Sequence, residues 1–178
     1  MQAWGPVPDG IEPIVGFRVW FYTLTGSRPH LYPLNSREDG VASSPWDGAE
    51  SEWVVASCGV DPVAPGHVPA WECTCGFYAT KSLSTLDWAL CLLMTSPAER
   101  ETDRGLILGR VELAGKIIEH DAGYRAQRAR IAELIPIEGD EPNGLRLAAL
   151  LGVTLGDPVA ATRSPPPPPR WLPPDVAA

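Results

Sequence analysis

The chain reads as a β-rich α+β domain, drawn most simply as a small bent barrel with one packed amphipathic helix. Three observations carry that reading. Two long stretches, 16–24 and 106–118, are dense in β-branched, aromatic and alternating apolar residues, the pattern of strands. The 178 residues include 20 prolines and 17 glycines, which interrupt long helices and favour turns. One segment alone, around residues 83–93, repeats leucine strongly at helical spacing.

Taken in order, residues 1–13 are rich in proline and glycine and form a flexible N-terminal arm ahead of a single domain spanning 14–157. The first strand starts at Gly16, with Phe17, Val19 and Phe21 on one side and Arg18, Trp20 and Tyr22 on the other. A turn at Thr25-Gly26-Ser27 returns the chain into Leu31–Leu34, where Pro33 confines the partner strand to an edge. Residues 35–50 form a polar loop around Trp46. Glu52 to Cys58 reads as a short strand, and the three prolines between Gly59 and Trp71 make an irregular loop.

Leu83, Leu86, Leu90 and Leu93 then define the amphipathic helix, with Ser84 and Asp87 as a capping box, Cys91 as a small core residue and Pro97 as the stop. In 106–118, Val111, Leu113 and Ile117 alternate with Arg110, Glu112 and Lys116. Gly109 and Gly115 fall on the apolar side, where glycine marks a bulge or a close backbone approach. The turn His120–Gly123 leads into Tyr124–Leu134, whose first half reads as a strand folding back on its predecessor. A short helix, Leu145–Leu151, ends at Gly152 as its C-cap. Residues 158–178, with five consecutive prolines at 165–169, are a disordered tail of polyproline character.

Composition limits the function classes. The net charge of −8 and pI near 4.8 argue against a protein that coats duplex nucleic acid, because phosphate binding needs clustered Lys and Arg. The first ten residues show neither a basic nor an apolar segment of a secretory signal. No run approaches the roughly 20 apolar residues of a membrane span. The expected location is the cytoplasm, where thiols stay reduced.

The most specific chemical signal is Cys58, His67, Cys73 and Cys75, spaced Cys-x8-His-x5-Cys-x-Cys. Three thiolates and an imidazole make a complete tetrahedral shell for Zn²⁺ with no position left for substrate, so the expectation is a structural zinc rather than a catalytic one. Gly76 gives the turn after the Cys-x-Cys pair its freedom. The alternatives are a reactive or redox thiol, set back by the absence of a helix start to activate it, and cysteines that merely pack.

Around this cluster the sequence resembles a family of small proteins from high-GC Gram-positive bacteria and their phages. The likeness rests on Gly16-Phe-Arg-Val-Trp20, on Cys73-x-Cys75-Gly76-x-Tyr78, and on Glu119-His120-x-x-Gly123-Tyr124-Arg125-Ala126, and it covers residues 14–155. It implies a shared fold and the metal site, and no particular activity.

Two further groups are functional candidates. Glu119, His120, Tyr124 and Arg125 include an acid, a base and an anion clamp near one turn, which is an enzyme of unknown class as a third reading. The plainer account pairs Arg125 with Glu119 across the hairpin, and no nucleophile accompanies them. Tyr124, Arg125, Arg128 and Arg130 could grip phosphate and stack on bases, making nucleic acid the alternative partner. Trp20, Trp53 and Trp88 read as core, whereas Trp4, Trp46, Trp71 and Trp171 lie in loops or the tail, as interface anchors often do. The expectation is a zinc-stabilised adaptor that recognises another macromolecule, a protein first, through Trp46 and Trp71, with no catalytic residue assigned.

Overall fold

A computed structural model describes residues 12–24, 29–33, 46, 52–58, 68–86 and 103–160. His67, Cys91, Trp4, Trp88, Trp171, the arm up to residue 11 and the proline run lie outside the described residues. The elements are β1 (Ile14–Thr23), β2 (His30–Pro33), β3 (Val54–Val55), β4 (Phe77–Thr80), α1 beginning at residues 83–86, β5 (Arg104–Glu119), β6 (Gly123–Ile135), α2 (Glu141–Leu151) and β7 (Thr154–Leu155). The named strands pair antiparallel except β6 with β7, so the sheet is mixed.

The long β5–β6 hairpin is the frame. β1 pairs with β5 over its whole length, and β2 adds to the outer edge of β1, with Pro33 at the end of an edge strand as expected. β4 pairs with β6 on one side and touches β1 on the other. The links β1–β5–β6–β4–β1 therefore form a ring of hydrogen bonds, but the last link is the single pair Phe17↔Thr80. That ring is not a true barrel. A barrel needs a consistent stagger at every seam, and the four-residue β4 cannot match the ten-residue β1 along its length. Past that pair, Arg18 Nη1 donates to Tyr78 O at 2.7 Å, and burial pushes the Arg18 pKa down to about 10.

The sheet packs into two cores, one on each face of β1. One core gathers Trp20, Tyr22, Trp46, Phe77, Val111, Leu113, Ile131 and Leu134 with Leu147, Ala148 and Leu151 of α2. The other gathers Val19, Leu86, Leu108, Ile135 and Ile137, with Phe17, Leu83 and Val159 packed against it. Each face of β1 thus enters a different core, which matches the alternation in its sequence.

The β5–β6 register shifts twice: between Arg110 and Val111, where the extra residue is Ala132 of β6, and between Ala114 and Ile117, where β5 carries it. Gly115 sits in the second with φ +77. At Gly109 a Cβ would lie 2.6 Å from Glu133 O and 2.8 Å from the Trp20 ring, so the largest core side chain rests against a bare backbone. β6 is a strand throughout, not only in its first half.

Several boundaries differ from the expectation. α1 starts at 83, which puts Ser82, not Ser84, at the N-cap position; its Oγ lies 3.0 Å from Thr85 Oγ1. α2 starts at Glu141 because Pro142 falls in the first turn, where no N–H bond is needed. It ends at Gly152 in the left-handed conformation, as the sequence required. Val159 bridges Ile137, so the folded part extends past the expected boundary at 157. Among the described residues no helix is long and apolar enough to cross a membrane.

Candidate metal centre

β3 and β4 pair end to end along one edge of β6. Val55 lies opposite Arg128, Ala56 N donates to Gln127 O at 2.8 Å, and Phe77 lies opposite Ala126. The chain leaves the sheet after Ala56 and re-enters at Phe77, one residue further along β6. Cys58 stands two residues past the exit and Cys75 two before the entry, so the topology itself brings their thiols together at the foot of the intervening loop. Cys73 joins them from the same turn.

The three Sγ atoms lie within 4.8 Å of one another, and Cys75 Sγ is 3.4 Å from Cys58 Sγ. All three are half-buried and none is in a disulfide. Thiolates on a tetrahedral Zn²⁺, at about 2.3 Å from the ion, stand about 3.8 Å apart. The cluster can therefore close on a metal ion with shifts of a fraction of an ångström to an ångström, and three soft donors suit zinc.

The turn bearing Cys73 and Cys75 is gripped from two sides. Gly76 takes φ +128, and a Cβ there would lie 2.8 Å from Arg125 Cγ. The Arg125 stem runs beneath Gly76, and its guanidinium donates from Nη1 to Cys73 O and from Nη2 to Ala70 O, the latter at 2.7 Å. Tyr78 covers it, with its ring 5.9 Å from Arg125 Cζ and its hydroxyl donating to Thr74 O at 2.6 Å.

Arg125 is 5% exposed, which corrects its assignment to a nucleic-acid surface. It also corrects the plainer account, because Glu119 pairs instead with Lys81 at 2.6 Å. The reason is register: Arg125 faces the β4 side, where loop carbonyls are nearer than the carboxylate. Arg130 donates from Nε and Nη2 to Glu112 Oε2, both at 2.6 Å, and lies 5.0 Å from the Trp53 ring. Tyr124 carries Lys81 over its ring at 5.4 Å. Of that expected arginine face, Arg128 alone has neither an acidic partner nor full burial, and its Nε is buried without a partner.

The tryptophans divide differently from the expectation. Trp46 is 1% exposed and packs edge-on against Trp20 and Phe77 at 5.5 and 5.1 Å. It is a core residue and cannot be a contact residue. Trp53, expected in the core, is 37% exposed because β3 turns it onto Arg130. Trp71 is 74% exposed and meets His120 edge-on at 6.0 Å. Glu119 and His120 are both exposed.

Sequence reasoning missed Arg125 and Tyr78 as the clamp of the thiol turn. The signal was present in Cys-Gly-x-Tyr and Gly-Tyr-Arg-Ala, two short motifs that pack against each other.

Fold and site together define a β-rich α+β domain with a three-thiol cluster that can hold a metal ion. No protein-family model, curated protein or solved structure matches the chain.

Proposed function

We propose that the chain is a zinc-stabilised binding module, with Cys58, Cys73, Cys75 and His67 as a closed structural shell, and that it recognises a partner protein through Trp71. The observation that carries this reading is the placement of Trp71. It is a large aromatic side chain left mostly in solvent, two residues before a metal-ligand candidate. Leaving a tryptophan exposed forgoes burial energy of the order of 2 kcal/mol, a cost recovered when a partner covers it.

The metal supplies the rest. A staple at the foot of the loop holds Trp71 against His120 in one orientation, so association need not order the segment first. A closed shell offers no open position for catalysis, which fits a binding role rather than an enzyme. The nucleic-acid alternative loses support, since Arg125 is committed to loop carbonyls and Arg130 to Glu112.

The test is affinity capture from the source cell with wild type and Trp71→Ala, followed by titration with the purified partner. The variant should keep its metal and its melting temperature while losing about 2 kcal/mol of affinity, roughly 30-fold. Equal affinity of both chains for the same partner would refute the role of Trp71. Salt-dependent oligonucleotide binding without protein capture would favour nucleic acid instead.

A further inference from the structure

We infer that Arg125 is the countercharge and positioning residue of the thiol centre. The inference rests on the reading that Cys58, Cys73 and Cys75 hold a divalent metal, and it says what that centre requires of the protein around it.

Arg125 is 5% exposed, and it is the buried cation that lies against the thiol turn. A buried guanidinium normally has a carboxylate partner, because taking a cation out of water is costly. Arg125 has none. Its two Nη groups donate to the carbonyls of Cys73 and Ala70, its Nε is buried with no acceptor, and Tyr78 covers its face. Carbonyl dipoles and an aromatic face offset part of the desolvation but supply no net negative charge.

The missing charge lies one residue away. Three thiolates around a divalent cation carry −3 + 2 = −1, and a neutral imidazole in the fourth position leaves that sum unchanged. Arg125 brings the total to zero. Since its guanidinium is bonded to the backbone of Cys73, its charge sits beside the ligand shell. With the thiols protonated and no metal bound, the same cation is buried without a partner. Metal binding and ordering of the 70–76 turn are therefore linked through one side chain, while its fork fixes two carbonyls of the strand-entry turn.

Arginine suits the task better than lysine, because a planar fork reaches two carbonyls at once. Gly76 is part of the device, since only a residue without a Cβ leaves space for the Arg125 stem.

The experiment compares full-length wild type, Arg125→Gln and Arg125→Lys for zinc affinity, by competition against a chromophoric chelator. The cobalt-loaded forms are recorded for their sulfur-to-metal absorption. Residues supporting metal ligands change affinity by roughly 10- to 100-fold when lost, and Arg125→Gln should fall in that range. Arg125→Lys, which keeps the charge and loses the fork, should recover part of the affinity and retain the cobalt spectrum. If the glutamine variant does not fold, citrulline placed at position 125 by peptide ligation preserves the shape, the Nε–H and one of the two terminal NH2 donors while removing the charge, and it should show a loss in the same range.

Wild type that binds no zinc or cobalt overturns the metal reading itself. Wild type that binds metal, with neutral and charged variants unchanged or equally weakened, leaves the metal reading standing and overturns the countercharge.

Discussion

Gly76→Ala should destabilise the protein by about 2–6 kcal/mol, a figure that combines the backbone conformation of this glycine with its closeness to Arg125. The backbone at Gly76 has φ +128, where a side-chain-bearing residue costs about 1–3 kcal/mol. The added methyl would also lie 2.8 Å from Arg125 Cγ and 3.2 Å from Ala126 O. The first neighbour cannot swing aside, because its guanidinium is tied to two carbonyls, and the second is backbone. Overpacking of this kind adds about 1–3 kcal/mol. Gly139 supplies the control: its φ is +88 and a Cβ there meets nothing within 4 Å, so Gly139→Ala bears the backbone cost alone. Urea unfolding of the zinc-loaded variants, followed by tryptophan fluorescence, measures both. The difference between them isolates the crowding against Arg125. Variants equal to within about 0.5 kcal/mol would mean that Arg125 does not run beneath the thiol turn.

The remaining predictions concern the core and the staple. Burial, then the hydrogen bond to Asp140 at 2.6 Å and the charge of Asp140, raise the Tyr22 pKa, so the native state holds that proton more tightly than the unfolded chain. Its contribution is complete below the ordinary tyrosine value of about 10 and is lost as pH rises above it. Tyr22→Phe should lower stability by about 1 kcal/mol at neutral pH and flatten the alkaline decline; an unchanged slope in urea midpoints above pH 10 would count against the Asp140 bond. Cys75→Ser should lower the melting temperature, and a chelator should do the same to wild type but add nothing to the variant. Additive effects of the two in thermal scans would separate the thiol from the metal.

What the sequence made legible follows from how local each signal is. The two faces of β1, the edge position of β2, the glycines at 109 and 115 and the Gly152 cap are set by near neighbours or by backbone conformation. Trp46 was illegible because a tryptophan in a polar loop looks the same whether it faces solvent or folds back onto Trp20 and Phe77. Trp53 reversed for the matching reason, since a two-residue strand carries too little pattern to show which face is inward. The thiols were found by residue type, but their meeting point depends on β3 and β4 sharing one edge of β6, a long-range pairing that no local pattern reports. Arg125 reads as a surface cation from its neighbours Arg128 and Arg130, and only the crossing of β4 buries it.

We propose that the three clustered thiols close on a zinc ion that holds the loop presenting Trp71. X-ray absorption at the zinc edge on the purified chain, with metal content measured on the same sample, tests it most directly. The expected result is about one zinc per chain, bound by three sulfurs near 2.3 Å and one nitrogen near 2.0 Å. A chain that takes up no zinc with its cysteines reduced, or a zinc shell of oxygen and nitrogen without sulfur, would contradict it.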